Sequence, residues 1–420
     1  MTVFQTIALL LSTAAAGAYI NFRFLKLPST IGLMVFALLI SFTGIVLGRV
    51  GLVDLSGPSA FVASLDFPTI LLHGLLSFLL FAGALHINLD DLRRHRAIVA
   101  VLATVSVVLA TFITGTLIWW AAAAMGFSFP YIHALLFGAL IAPTDPVAVM
   151  GILKDTKMSA NLRVKIGSES LLNDGVGVVL FLALLGIAQN PEQPVELSRI
   201  AFLFLWEGGG SIALGIVLGW FALQLLKSID DYKTEVLLTL ALAAGGYCLG
   251  EVLNVSAPIT MVVAGLIIGN HGRILGMSNR TRRHVDLFWE LIDEIINAVL
   301  FILIGLEMIV ITVSPSHMPI GLVAIVAMLA GRFLSVALPI ALMRSRYGFG
   351  RGTVTLLTWG GLRGGISIAL ALSLPPMPEK DLILAMTYVT VVFSVLIQGT
   401  TFRAVARAVI GKEPESGETL

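Results

Sequence analysis

The sequence predicts an all-α polytopic membrane protein of about thirteen transmembrane helices, and three observations carry that prediction. Of 420 residues, 57% are hydrophobic and 12% are charged, about half the charged share of an ordinary soluble domain. The apolar residues fall in thirteen runs long enough, or nearly so, to cross a bilayer. Basic residues alternate from loop to loop as membrane topology requires. A net charge of +1 argues against nucleic acid as a partner. The single cysteine, Cys248, excludes a disulfide framework and a thiolate metal site.

In chain order the first seven runs are Val3–Ile20, Thr30–Leu47, Ile70–Leu85, Ile98–Met125, Ile132–Ile152, Val164–Ala188 and Ile200–Leu226. Val236–Val252, Val255–Ile268, Phe288–Val313, Ile320–Leu342, Val354–Leu374 and Leu382–Thr401 complete the set. The stretch Leu52–Phe67 has room for a further partial helix. TAAAGAY (Thr13 to Tyr19) mimics a signal-cleavage site. No Lys or Arg precedes it, so the first run is expected to stay as a membrane helix.

With the N-terminus placed outside, the cytoplasmic loops and tail hold 21 of the 26 Lys and Arg residues. Arg93, Arg94 and Arg96 share one such loop; Arg280, Arg282 and Arg283 share another. Only Arg49, Arg199 and Lys380 fall outside, and Arg332 and Arg363 lie within runs. One helix more or fewer would scramble this alternation. The expectation is a multi-pass protein of the cell membrane with a cytoplasmic C-terminus.

Two runs are interrupted. Pro143 and Pro146 break the fifth, and Gly360, Gly361, Gly364 and Gly365 break the twelfth. A proline inside an apolar helix frees backbone carbonyls, which membrane proteins tolerate where the backbone is buried or lines a cavity. With the seventh run as a linker, these are the fifth members of two six-helix sets of inverted orientation, the arrangement that points to a transporter's binding site. Glycines that merely let helices pack closely would look similar. Charge in both breaks favours the repeat.

Thr144 and Asp145 lie in the first break, and Glu169, Ser170, Asn173 and Asp174 lie within the next run. Ser170 and Asp174, four apart, share a helix face; Glu169 and Asn173 share the adjoining one. Against these three acids only Arg332 and Arg363 stand within the helices, Lys165 belonging with the basic connector at the edge of its run. At least one carboxylate is left without a fixed basic partner, and it is neutral by protonation or holds a cation. A hard cation such as Na+ would find oxygen ligands in Asp174, Ser170, a Thr144 hydroxyl or freed carbonyl, Asp145 and water. The alternative is that Asp145 and Asp174 are ion-paired braces. If the moving element crosses readily only when neutral, cation and proton compete for one site and travel in opposite directions. A single carboxylate then implies one-for-one, electroneutral exchange.

Other readings are weaker. Glu290, Asp293 and Glu294 are expected to open the tenth helix, where they would form a cation-attracting funnel or simply complement the helix dipole. His73, His86 and His133 read as pH sensors or as plain hydrogen-bonding side chains. Trp119, Trp120 and Trp289 read as interfacial anchors. A cation channel would need a filter-like repeat, and none is present. An intramembrane aspartyl protease would pair Asp145 with Asp174, but the GxGD signature is absent, and Thr144, Ser170 and Asn173 suit a cation better. The sequence has no HExxH motif and no nucleotide-binding domain, so an enzyme is not expected.

APTDPVAV (Ala142–Val149), ESLLNDGVGVVLF (Glu169–Phe181), GR (Gly331–Arg332) and GGLRGGIS (Gly360–Ser367) occur in that order. The combination resembles the motifs of the monovalent cation:proton antiporters, in the NhaP/NHE branch of sodium/proton exchangers, along essentially the whole chain. The resemblance implies a homodimer in the lipid bilayer, with no cofactor beyond the transported Na+ (or K+ or Li+) and H+. It implies dimer-domain helices in 1–90 and 231–315, a moving core in 91–190 and 316–405, a linker helix in 191–230 and a short tail in 406–420. Asp174 resembles the ion and proton carrier; Thr144, Asp145 and Ser170 match ligand positions. Asn173 matches the position whose Asn accompanies electroneutral exchange. Glu169 and Arg332 resemble a structural ion pair, and Arg363 the basic residue of the second broken helix. In one departure, LFAGALHI (Leu80–Ile87) has Ala82 where some members carry an acid.

Overall fold

A backbone in lipid has no water to bond, so each apolar run satisfies its own N–H and C=O groups as a helix. The computed structural model describes residues 3–54, 56–145, 160–190, 197–310, 315–347 and 352–410. Among them all regular secondary structure is helical. The first half holds α1 (Val3–Ile20), α2 (Ser29–Arg49), α3 (Ser56–Ser64), α4 (Phe67–Leu85), α5 (Leu89–Ala103), α6 (Val105–Ala124), α7 (Tyr131–Ile141) and α8 (Ala160–Gln189). The second holds α9 (Leu197–Lys227), α10 (Tyr232–Val252), α11 (Ala257–Ile267), α12 (Asn279–Glu307), α13 (Met318–Tyr347), α14 (Thr353–Trp359) and α15 (Gly365–Leu372). The described residues end with α16 (Lys380–Phe393), a π-turn at Ser394–Gln398 and α17 (Gly399–Ile410).

Among the described residues, ten helical stretches are long and apolar enough to cross a membrane, and α7 is a shorter apolar helix. The architecture is that of an all-α polytopic membrane protein. The partial helix expected between the second and third runs is α3. Pro146 and the rest of the fifth run, to Ile152, lie outside the described residues.

Two expectations are corrected. The tenth helix starts at Asn279, where the Ser278 hydroxyl caps the Thr281 N–H at 3.3 Å. Glu290, Asp293 and Glu294 therefore sit about three turns or more inside α12, beyond the reach of its N-terminal dipole. The apolar pattern missed this because 279–287 carries three arginines ahead of the hydrophobic run. Trp289 is also not an interfacial anchor. It is fully buried, its Nε1 donates to Thr239 Oγ1 at 3.0 Å, and its ring lies 4.8 Å from that of Phe81. A buried indole needs a partner for its N–H, and Thr239 provides it. Trp119 and Trp120 are exposed.

The contacts divide the chain into two compact units, 1–94 with 178–312 and 95–177 with 313–420. In the first, α12 packs on α2, and α11 on α9 and α4. Its core gathers Phe81, Leu85, Leu223, Leu226, Met261 and Trp289. In the second, α6 packs against α7 and α13, and α13 against α16. Gly331 lets α13 and α6 close up, since a Cβ there would lie 2.1 Å from Thr114 Oγ1. That approach sets the position of its neighbour, Arg332.

Candidate ion-binding site

The second unit contains both chain breaks. The first opens where α7 stops, because Pro143 has no N–H to continue the ladder. The second lies between α14 and α15, where Gly361 to Gly364 leave the helical conformation. The two meet directly: the Asp145 N–H donates to the Leu362 carbonyl at 2.7 Å. Only glycine fits alongside. A Cβ on Gly364 would lie 2.4 Å from Asp145 Oδ2, and one on Gly361 would lie 2.8 Å from Arg332 Nε.

Helix α8 presents Glu169, Ser170, Asn173 and Asp174 to this crossing. Asn173 holds Thr144 twice, accepting its N–H at 3.2 Å through Oδ1 and donating Nδ2 to its hydroxyl at 2.8 Å. The Thr144 and Ser170 hydroxyls are 3.0 Å apart. Asn173 Nδ2 also reaches Glu169 Oε1 at 3.2 Å. Thr144, Glu169, Ser170 and Asn173 thus form one buried network. Asp174 is 3% exposed, and its carboxylate makes no ion pair or hydrogen bond among the described residues. Asp145 is half-buried.

The two arginines have separate duties. Arg332 meets Glu169 in a bidentate pair, 2.7 Å from Oε1 and 2.9 Å from Oε2, and its Nε donates to the Leu357 carbonyl at 3.3 Å. Arg363 Nη1 donates to the carbonyls of Ala142 and Pro143 at 2.5 and 2.7 Å. Those are the groups a helix end leaves without partners, and a cation there also complements the dipole of α7. Among the described site residues, three carboxylates face two guanidiniums, so one negative charge remains.

Sequence reasoning missed two contributors. Gly177 lies three residues after Asp174 and seven after Ser170, on the same face, and a Cβ there would fall 2.1 Å from Pro143 Cγ. Its spacing was a usable signal. Ser394, whose hydroxyl accepts the Arg363 N–H at 2.8 Å, gave none. Of the predicted histidines, His73 pairs with Glu251, and His133 lies 3.5 Å from Glu379.

A family model described as sodium/hydrogen exchanger, transmembrane, matches residues 9–408. The chain belongs to that family. Like the other sodium/hydrogen exchangers, it is a transporter and not an enzyme. Over 401 residues it is 47% identical to the Na(+)/H(+) antiporter NhaP of Pseudomonas aeruginosa, covering 94% of each chain. Over 405 residues it is 32% identical to the Na(+)/H(+) antiporter NhaH of Halobacillus dabanensis, covering 96% of each. This exchanger's fold matches that of the sodium proton antiporter MjNhaP1 from Methanocaldococcus jannaschii, with a TM-score of 0.75 at 19% identity, over 97% of this chain and 99% of that one.

Proposed function

We propose that the protein exchanges Na+ for H+ across the cell membrane, one for one, at Asp174. The observation that carries this reading is the buried Asp174 carboxylate, without an ion-pair or hydrogen-bond partner among the described residues, beside a crossing of two broken helices. An empty, ionised acid in such surroundings is unfavourable, whereas the same group holding a proton or a cation is neutral. Thr144, Ser170 and Asp145 supply further oxygens for the cation. Asn173, neutral and committed to Thr144, adds no second titrating charge, in keeping with electroneutral exchange. Na+ and H+ are the species named for the relatives above, and both are cargo here.

The transport step is of the elevator type, in which a core carries the site and a dimer domain stays fixed. Thirteen helices in two inverted repeats, a homodimer, an outside N-terminus and a cytoplasmic C-terminus complete the proposal. The division of contacts supports the core assignment, since 95–177 and 313–420 cluster together and hold every site residue named above. In this proposal α9 is the linker helix between the two sets, and its contacts group it with 1–94 and the rest of 178–312. Ala82, buried in α4, offers no carboxylate, so selectivity among Na+, K+ and Li+ rests on the second unit's oxygens.

The test is pH-gradient-driven uptake of Na+, K+ and Li+ into proteoliposomes. Asp174→Asn is expected to abolish exchange while leaving the melting temperature near that of wild type. Substantial residual exchange would move the carrier role elsewhere, to Asp145 first. Clamping the membrane potential checks stoichiometry, because strong voltage dependence contradicts one-for-one exchange.

A further inference from the structure

The last helical segment carries a polar stripe that contributes no ligand. Ser394, Gln398 and Thr401 recur at spacings of four and three, so they lie on one face. Each bonds to the second broken segment. Ser394 Oγ accepts the Arg363 N–H at 2.8 Å, Gln398 Nε2 donates to the Trp359 carbonyl at 3.3 Å, and Trp359 Nε1 donates to Thr401 Oγ1 at 3.0 Å. Ser394 and Gln398 are fully buried. They are also the first and last residues of the π-turn between α16 and α17, where the Gly399 N–H bonds the Ser394 carbonyl. A π-turn inserts one residue into an α-helix and rotates the segment beyond it, and such bulges concentrate at functional sites. Here it rephases the end of the helix against α14.

The bonds fall on both sides of the break. Trp359 closes α14, and Arg363 stands just before α15 resumes. Between these anchors, the backbone that carries Leu362 to Asp145 and aims Arg363 at Ala142 and Pro143 is held from behind. Gln398 accepts a cost for this, because its buried Oε1 has no partner among the described residues.

We propose that Ser394 and Gln398 are positioning residues for cation binding, fixing the register of the second broken segment so that Arg363 caps the end of α7 and leaves Asp174 to the ion. The inference rests on the exchange reading above and assigns neither residue a contact with the ion.

The test compares wild type, Ser394→Ala, Ser394→Thr and Gln398→Met. Exchange in proteoliposomes gives the apparent KM for Na+ and the maximal rate. Melting in detergent, with and without Na+, gives fold stability and the stabilisation due to Na+. Ser394→Ala and Gln398→Met are each expected to raise KM about tenfold, the consequence of one lost hydrogen bond, with the maximal rate held within about twofold. Melting without Na+ should fall only slightly, since one buried group loses its partner, and the rise produced by Na+ should shrink by more than that fall accounts for. Ser394→Thr keeps the hydroxyl and should restore KM. An unchanged KM and Na+-dependent rise would overturn the proposal, as would losses that merely track a lower melting temperature. If wild type exchanges nothing, the antiport reading falls, while the Na+-dependent rise in detergent still decides the positioning role.

Discussion

Arg332 and Arg363 are buried to nearly the same depth, 2% and 1% exposed, yet the surroundings of each use the charge differently. Around Arg332 the chain supplies a carboxylate in bidentate geometry, so both charges are cancelled where they stand. Around Arg363 it supplies two neutral carbonyls at a helix end, so the positive charge is hydrogen-bonded but not cancelled. The first arrangement is a brace that removes Glu169 from ion chemistry. The second leaves a standing positive field at the crossing. On the exchange reading proposed above, an acid at the crossing would be less costly when empty than without that field, and would release its ion more readily.

The strongest way to break this contrast is to remove each guanidinium in turn. Arg332→Ala or Glu169→Gln strands a buried charge or half of a buried pair, a loss of about 3–5 kcal/mol. Melting in detergent and folding yield should both collapse. Replacing the pair together, as Glu169→Leu with Arg332→Met, should recover most of the loss. Arg363→Ala should cost less, about 1.5–3 kcal/mol, because only carbonyls are stranded. Lys should substitute in part at 363, where a point charge suffices, and fail at 332, where the bidentate fork is needed. Normal melting of Arg332→Ala with altered ion selectivity would place that arginine in the ion site instead.

A smaller effect sharpens the geometry. Gly177→Ala would set a methyl group 2.1 Å from Pro143 Cγ and push α8 away from the first break. Overpacking of this kind costs about 1–3 kcal/mol. A lower melting temperature with a raised KM for Na+ is expected; wild-type values for both would show that the break tolerates displacement.

The smallest effect concerns a helix end capped in the open. Asp231 accepts from the Thr234 hydroxyl and N–H at the start of α10, which holds its carboxyl below the ordinary 3.8. A depressed carboxyl adds stability that is complete above its unfolded pKa and fades as pH falls through its folded one. Asp231→Ala should therefore melt slightly lower than wild type at neutral pH, with the difference shrinking below about pH 4. A difference that grows on acidification would reverse the assigned sign. Arg363 caps a helix end away from water, and solvent screening of the exposed Asp231 makes the same kind of contact worth far less.

The motifs made much of the candidate site legible in advance. Side chains four apart on one helix must share a face, so spacing alone puts Ser170 with Asp174 and Glu169 with Asn173. The surplus of acids over basic residues inside the apolar runs was equally plain from counting. The start of α12 was not legible, because a cap at Ser278 and three arginines carry no apolar period. Trp289 was misread because a tryptophan near the end of a run looks alike whether it faces lipid or a neighbouring helix.

By itself, then, the sequence determined the helical membrane architecture, the positions of the two breaks and the residue types that meet there, since hydropathy, proline and glycine act locally. Only the tertiary structure decided that Arg363 faces backbone carbonyls, that Asn173 is committed to Thr144, and that Ser394 and Gln398 hold the second break. Those pairings join positions up to 221 residues apart. No local pattern encodes them, because they depend on how closely helices approach where glycine has removed the side chain that would keep them apart.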